Sequence, residues 1–181
     1  MIRRKLFSLL SALAIAGPAA AKNPIVGGNE MFPQKNIVEN AMNSADHTTL
    51  VAAVKAAGLV ETLQGAGPFT VLAPTNMAFG KLPAGTVENL LKPENKASLT
   101  KVLTYHVLPG RLSSSDIRKQ IKAGKGKAMF KTVSGGTLWA WTEGKTLVLK
   151  DEKGGMSRVS QADVFQSNGV IHVVDSVVLP N

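Results

Sequence analysis

Three histidines are the first residues to test for chemistry, because imidazole serves in metal sites, acid–base catalysis and nucleophile activation. His47, His106 and His172 fall in separate segments, and no two have the spacing that would place both on one strand or helix face. The 181 residues include no cysteine, which excludes disulfide scaffolds, thiolate zinc sites, thiol nucleophiles and dithiol redox chemistry. We therefore expect neither a bound metal nor a cofactor.

Catalytic and phosphate-binding loops leave local signatures, and the sequence carries none of the common ones. No G-x-S-x-G segment occurs, and the two short glycine repeats, at 65–67 and 124–126, lack the third glycine or the Lys-Ser/Thr ending that cradles phosphate. Asp175 is a lone carboxylate in a strand-like segment, which is more typical of hydrogen-bonded structure than of catalysis. The sequence predicts a protein that is not an enzyme, with a hydrolase lacking any recognisable motif as an alternative.

Two tryptophans are the most informative aromatic residues. Trp139 and Trp141 are two apart in a strand-like segment, so both point to one side, and Leu138 and Ala140 point to the other. The large apolar area of tryptophan favours burying the pair. An exposed pair would instead form an aromatic stripe of the kind that contacts protein, sugar rings or apolar ligands. Both interpretations stay open at this point.

Positive charge is concentrated in part of the chain. Lysine and arginine number 21 against 12 acidic residues, for a net charge of +9. The local run can be a solvated surface with cations near a helix C-terminus, or a site for a polyanion. No aromatic residues interleave with its 118–127 stretch, which argues against single-stranded nucleic acid. Lys131 and Lys145 would flank the tryptophans if the neighbouring strands are antiparallel. The run comprises Arg118, Lys119, Lys122, Lys125, Lys127 and Lys131.

The N-terminus has the pattern of an export signal. Residues 1–21 begin with three cations, continue with an apolar run from Leu6 to Ile15, and end in small residues at Ala21. Cleavage there would leave 160 residues and, without those three cations, a net charge of +6. We therefore predict an exported protein, periplasmic or secreted, with no membrane-spanning segment in the mature chain. The Pro- and Gly-rich residues 22–35 are expected to form a flexible leader.

Helical patterns precede strand patterns along the rest of the chain. This segregation predicts an α+β domain with an antiparallel or mixed sheet, and not a doubly wound nucleotide-binding fold. Gly58 is expected to end a helix in the left-handed conformation, and Ser114 or Ser115 to cap the helix over 113–121. One helix is expected to begin near Ile37, and a second is expected to end before Gly58. Three more helices are expected over 75–81, 86–91 and 95–105. Strands are expected over 69–73, 131–133, 137–142, 146–150, 158–165 and 170–179.

Three segments, in this order, resemble the motifs of the fasciclin (FAS1) family. GPFTVLAPTNMAF at 67–79 and NGVIHVVDSVVLP at 168–180 are similar to its two signature motifs, and LTYHVLPG at 103–110 to its Tyr-His motif. The resemblance covers about residues 36–181, which we assign as one fasciclin domain. The motif residues are interpreted as mainly structural: Phe69, Thr70, Pro74, Thr75, Asn76, Phe79, Tyr105, His106, Asn168, Gly169, Ile171, His172 and Asp175.

The resemblance implies a wedge of two β-sheets with a layer of short helices in the N-terminal half. It also implies a non-catalytic adhesion or interaction module that binds a protein or glycan at the cell envelope or matrix. The predicted export, and not the resemblance, argues against a nucleic-acid partner and leaves peripheral contact with anionic envelope components as the expected use of the excess positive charge. A carrier of a small apolar ligand such as a pigment is an alternative, since some relatives bind pigments. The family's apolar positions match Leu138, Ala140 and Thr142, which favours exposed tryptophans.

Two further expectations concern the signature motifs. Phe69, Val71, Ile171 and Val173 are predicted to lie in the core, because they alternate along short apolar strands. The Asn168-Gly169 pair is a turn signal, so Gly169 is expected to have a positive φ.

Overall fold

Seven α-helices lie mainly in the first half of the chain, which a computed structural model describes over residues 22–181. The export signal predicted over residues 1–21 lies outside this range. Two 3₁₀ turns, Ala45–His47 and Pro93–Asn95, lead into longer helices. The helices are α1 Ile37–Asn43, α2 Thr48–Ala57, α3 Val60–Gln64, α4 Asn76–Gly80, α5 Thr86–Leu90, α6 Lys96–Tyr105 and α7 Ser114–Ala123.

Local capping chemistry explains where several helices begin and end. Asn36 and Ser113 each form a capping box at the start of α1 and α7, satisfying backbone N–H groups that have no partner within the helix. The cap of α7 is therefore Ser113, and the expectation of Ser114 or Ser115 was wrong by one or two positions. Gly58 ends α2 in the left-handed conformation with φ of 71°, as predicted.

Nine strands form a two-stranded hairpin and one seven-stranded mixed sheet within the described residues. The sheet has the order β4-β3-β9-β8-β7-β6-β5, in which β3 and β9 are parallel and the other neighbours antiparallel. The α+β fold class is confirmed. The strands are β1 Ile25–Val26, β2 Asn29–Glu30, β3 Phe69–Pro74, β4 Val107–Pro109, β5 Ala128–Lys131, β6 Thr137–Glu143, β7 Thr146–Lys150, β8 Met156–Gln166 and β9 Gly169–Val174.

The long strand β8 divides the sheet into two halves. Its register with β9 shifts between Val159 and Val164, and Asp163 within this stretch has φ of 61°. Irregularities of this kind bend a strand and increase its twist. The backbone N–H of Val133, just beyond β5, donates to the carbonyl of Val107 in β4 at 2.8 Å. The two edges of the sheet are thus brought together, which produces the predicted wedge.

Two hydrophobic clusters lie on opposite faces of β3 and β9. In β3, Val71 and Ala73 pack with helices α1 to α6, whereas Leu72 points between the two halves of the sheet. Helix α7 covers this second cluster through Ile117 and Ile121. Burial of Val71, Ile171 and Val173 is confirmed, and Phe69 is partly buried against the same helical cluster. Helices therefore cover the side of β3 and β9 that faces away from the other half of the sheet.

Residues 22–35 do not form the flexible leader that the sequence led us to expect. Strands β1 and β2 pair as a hairpin, and Val26 and Met31 are buried in the helical cluster at 6% and 2% exposure. Gly27 and Gly28 have φ of 58° and 80° in the turn between the strands. These glycines are turn residues of a packed element, and the composition alone resembled that of a linker.

The first strand after α7 also differs from its predicted position. We expected it over 131–133, but β5 spans Ala128–Lys131, and Val133 lies beyond its end with half of its surface exposed. Burial alternates along β5: Ala128 and Phe130 are buried, and Met129 and Lys131 are exposed. Because lysines precede and end this strand, its alternation of buried and exposed residues was not recognised in the sequence.

Candidate interaction surface

The Tyr-His motif lies at the end of α6 with both side chains buried. The Tyr105 hydroxyl donates to the carbonyl of Thr137 at 2.7 Å and accepts from the N–H of Glu152 at 3.2 Å. Burial is the main cause that raises the pKa of Tyr105 to about 12. This side chain joins α6 to the start of β6 and to the turn after β7, and its hydroxyl both donates and accepts within the fold.

His106 is held as a neutral imidazole by two backbone groups. Its Nε2 accepts from the N–H of Val178 at 3.1 Å, so Nδ1 carries the proton and donates to the carbonyl of Val102 at 2.8 Å. Burial lowers the pKa of His106 to about 4, against the opposing effects of the Val102 carbonyl and Asp151. The ring therefore fastens the C-terminal segment to α6.

The other two histidines are engaged in the same way. His172 accepts from the N–H of Asp163 at Nδ1 and donates from Nε2 to the carbonyl of Leu112. The Nε2 of His47 donates to the carbonyl of Ala73 at 3.3 Å. Burial is the largest cause that lowers the pKa of both rings. Across residues 22–181, no cluster of three or more His, Asp or Glu side chains could hold a metal ion.

A serine next to a histidine is the arrangement closest to hydrolase chemistry. The hydroxyl of Ser44 lies 2.8 Å from Nδ1 of His47, but both residues are buried. The other ring nitrogen bonds a backbone carbonyl, so the carboxylate that orients a catalytic imidazole has no place here. The pair supports the turn before α2 and does not favour the hydrolase alternative.

Polar residues of the first signature motif connect neighbouring elements. Thr75 caps α4, and Asn76 accepts from the N–H of Thr49 and donates to the carbonyl of Ala45. Thr70 accepts from the N–H of Leu112 and donates to the carbonyl of Gly110. The apolar members Pro74 and Phe79 are buried. These contacts are internal to the fold.

The second signature motif makes equivalent internal contacts. Asn168 accepts from the N–H of Ile37 and donates to the carbonyls of Leu63 and Gly65, tying the start of β9 to α1 and α3. Burial disfavours the charged form of Asp175, but hydrogen bonding from the N–H of Arg158 and the nearby Lys81 lower its pKa on balance. Asp175 is thus a hydrogen-bonded carboxylate.

Gly169 is required for a different reason from the one expected. Its φ is not positive, so the predicted left-handed turn is wrong. A Cβ at this position would instead overlap the carbonyl oxygen of Phe69, its partner in the parallel β3–β9 pair, and would lie 2.9 Å from Cδ1 of Ile37. Close approach of backbone and side chain, and not backbone conformation, excludes larger residues here.

An apolar cavity lies within the helical cluster. It has a volume of about 70 Å³ and is bordered by α1, α2, α3 and β3, including Leu50, Leu59, Leu63 and Val71. Sites for drug-sized ligands usually have about 300 to 1,000 Å³. A pigment would not fit unless the helices moved apart, so this cavity does not favour the ligand-carrier alternative.

The tryptophans lie on the outer side of β6. Leu138 and Ala140 are fully buried in the cluster between the sheet halves, whereas Trp139 and Trp141 are partly exposed. The pair is therefore not part of the core between the sheet halves, and neither ring is fully exposed. The small inward residues fit the narrow space between the sheet halves, which leaves the bulky rings on the outside.

Directly opposed residues of neighbouring strands extend this side into a defined surface. One row runs from Met129 through Trp139 and Lys150 to Met156, and a second from Trp141 through Val148 to Arg158. Met129 and Met156 are 69% and 54% exposed. We call the surface formed by Met129, Trp139, Trp141, Lys150, Met156 and Arg158 the outer face.

An acidic side chain fixes one ring of the outer face. Glu143 accepts from the indole Nε1 of Trp141 at 3.3 Å and from the guanidinium of Arg158 at 3.2 Å. Val148 lies between Trp141 and Arg158 in the ladder and is completely buried. Glu143 thus holds the indole and the guanidinium next to each other above Val148.

Cations surround the rings, although not in the predicted arrangement. The Nζ of Lys127 lies 5.8 Å from the centre of the Trp139 ring, within the range of a cation–π interaction. Lys131 follows Met129 on the same side of β5, and its Nζ donates to the hydroxyl of Thr137 at 3.0 Å. Lys145 lies in the β6–β7 turn, where its carbonyl accepts from Arg118.

Sequence reasoning missed four residues of the outer face. Met129, Lys150, Met156 and Arg158 are brought beside the tryptophans by strand register. Lys127, which the sequence placed only in the basic run, is brought next to Trp139 by the loop after α7. Alternation in β5 and β7 could have placed Met129 and Lys150 on one side of their strands. Their proximity to the rings depends on which strands pair, and no local pattern gives that information.

Comparison with known proteins identifies related chains. A family model described as the fasciclin domain matches residues 45–180. Protein sll1483 of Synechocystis sp. is 43% identical over 183 residues, covering 96% of this chain and 94% of its own. The immunogenic protein MPB70 of Mycobacterium bovis is 32% identical, with 94% and 91% of the two chains covered.

A human protein and a solved structure extend the comparison. Human periostin is 32% identical over 136 residues, which cover 75% of this chain and 15% of periostin. The solved FAS1 domain pair of the insect cell adhesion molecule fasciclin I superposes with a TM-score of 0.57 and 24% identity, covering 72% of this chain and 43% of that one. The latter likeness establishes the fold alone.

Proposed function

The chain belongs to the fasciclin domain family, and from this membership we propose that the mature protein is a non-catalytic interaction module. It acts outside the cytoplasm, at the cell envelope or in the surrounding matrix, by binding a protein or a glycan. Export rests on the N-terminal sequence pattern, and residues 22–181 contain no helix that is long and apolar enough to cross a membrane.

The outer face is the observation that carries this proposal. Trp139 and Trp141 are partly exposed beside two exposed methionines, and aromatic residues and methionine are enriched in contact surfaces. The motif residues offer no competing site, because the polar atoms of Tyr105 and His106 are hydrogen-bonded to backbone partners. Contact through the outer face leaves those internal bonds intact.

Binding to envelope material tests the proposal. Both proteins are labelled and mixed with isolated envelope and matrix fractions. The double variant Trp139→Ser/Trp141→Ser should bind these fractions at least about tenfold more weakly than the unaltered mature protein. The variant Met129→Ser/Met156→Ser should also weaken binding, and because both methionines are exposed, it should leave the fold unchanged. Binding isotherms and circular dichroism would measure the two properties separately.

Met77 provides a matched control. It is an apolar residue in α4, 80% exposed, in the helical part of the molecule. Met77→Ser should bind as the unaltered protein does. If the folded tryptophan and methionine variants both retain full binding, the outer face is not the contact surface; turnover of an ester, glycoside or phosphoester by the pure protein would contradict the non-catalytic assignment.

A further inference from the structure

We infer that the partner of the outer face is an acidic polysaccharide, a polymer whose sugar rings carry carboxylate groups; this inference rests on the proposed function. The outer face combines flat aromatic surface with positive charge at close spacing. The two features match the two parts of such a polymer, its apolar ring faces and its regularly repeated anions.

Aromatic geometry supplies the first argument. Trp139 and Trp141 are two residues apart on one strand face, so their Cα atoms are about 7 Å apart. Glu143 holds the Trp141 indole, and Lys127 lies over the Trp139 ring. Both rings therefore have contacts that restrict their freedom on the outer side of β6, which reduces the entropy lost when a chain of sugar rings packs against them.

Charge supplies the second argument. Lys127, Lys131, Lys150 and Arg158 carry four positive charges around the rings, and Glu143 is the acidic group paired with Arg158. The lysine-rich end of α7 leads directly into Lys127 and continues the positive region beyond the outer face. An anionic polymer lying across the rings would meet cations along its length.

The order of residues within the rows disfavours a lipid surface. Lys150 lies between Trp139 and Met156, and Arg158 is in the row of Trp141. Insertion of the apolar side chains into a bilayer would carry Lys150 towards the acyl region, whereas interfacial binding elements keep cations on a separate face. Interleaved cations and rings suit a hydrated polymer that contacts both at once.

Tryptophan fluorescence reports on this surface alone, because Trp139 and Trp141 are the only tryptophans of the chain. Titration of the mature protein with polygalacturonate should change the emission intensity or wavelength saturably, and the neutral polymer dextran should not. The apparent affinity should fall as salt rises from 50 to 500 mM, since exposed ion pairs are screened.

Two lysine variants distinguish binding at the outer face from a general effect of net positive charge. Lys127→Gln/Lys150→Gln should weaken polygalacturonate binding about tenfold, roughly threefold for each charge contact. Lys55→Gln/Lys92→Gln removes the same number of charges from exposed positions in the helical part of the molecule and should have no such effect. Equal loss in both variants would overturn the inference, because net charge alone would then explain binding.

The remaining outcomes distinguish this inference from the proposed function. If envelope binding depends on the tryptophans but polygalacturonate leaves the fluorescence unchanged, the acidic polysaccharide is wrong and the interaction module stands. A response to phosphatidylglycerol vesicles but not to polygalacturonate would indicate a lipid partner, and a response only to an acidic protein fraction would indicate a protein; either result overturns the inference. If envelope binding is also independent of the outer face, the proposed function fails as well.

Discussion

Individual side chains of the motifs work as internal connectors. His106, His172 and Asn168 each satisfy backbone groups in segments that are distant along the chain. Every buried side-chain nitrogen or oxygen in residues 22–181 has a hydrogen-bond partner. Because an unpaired buried polar group costs about 1 to 3 kcal/mol, these residues are sensitive positions without being sites of contact.

Acid sensitivity is the first prediction at this scale. The pKa of His106 is lowered from 6.5 to about 4 by burial, so the folded state takes up its proton at lower pH than the unfolded state. The neutral ring's contribution to the free energy of unfolding is complete above pH 6.5. It decreases by about 3 kcal/mol as the pH falls from 6.5 to 4. Urea denaturation between pH 4 and pH 7 would measure the loss.

The variant His106→Gln isolates this effect from that of the carboxylates. Its amide can donate to the Val102 carbonyl and accept from the Val178 N–H but does not titrate, so its stability should depend less on pH between 6.5 and 4. The difference between the two proteins should shrink as the pH falls. Parallel curves for the two proteins would contradict a neutral buried His106.

Paired strands are the elements that hold the molecule together. The parallel strands β3 and β9 lie at the centre of one sheet half, and all six residues of β9 are buried. Helices cover the Ile171 side of β9, and the cluster between the sheet halves covers the Val174 side. Elements buried on both faces tolerate little change in side-chain volume.

Truncation of Ile171 tests this packing. Ile171→Ala should lower the free energy of unfolding by about 2 to 5 kcal/mol, because it removes buried methyl groups and leaves a cavity beside the helical cluster. Met156→Ala, at an exposed position of β8, should change it by less than about 0.5 kcal/mol. Chemical denaturation gives both values, and a loss below half a kcal/mol at Ile171 would mean that β9 faces another way.

At the scale of the whole molecule, the N-terminal hairpin is part of the packed domain. It covers the helical cluster through Val26 and Met31, and Gln161 of β8 donates to the carbonyl of Ile25. A segment that contributes buried side chains to the main core should unfold together with it.

Met31→Ala should therefore destabilise the whole domain by about 2 to 5 kcal/mol in a single unfolding transition. Ile25→Ala, in the same hairpin but 60% exposed, is the matched control and should be nearly neutral. Urea denaturation followed by circular dichroism measures both. Equal stability of Met31→Ala and the unaltered protein would restore the description of residues 22–35 as a leader.

Much of the fold could be predicted from the sequence alone. The period of two in β6, the short apolar run of β9, the helical spacing before Gly58 and the three motifs identify the α+β fold, its main elements and its family. These features depend on residues close together in the chain, whose sterics and hydrogen bonding act locally. The absence of cysteine and of catalytic signatures likewise needs no structure.

Tertiary structure decided the composition of the outer face. Alternation in β6 separates the two tryptophans from Leu138 and Ala140, but only closure of the sheet shows which pair is enclosed. The order and register of the strands put Lys150 beside Trp139 and leave Lys145 in a turn. Contacts between residues far apart in the chain follow from the packing of whole elements, so neither a local pattern nor composition could assign them.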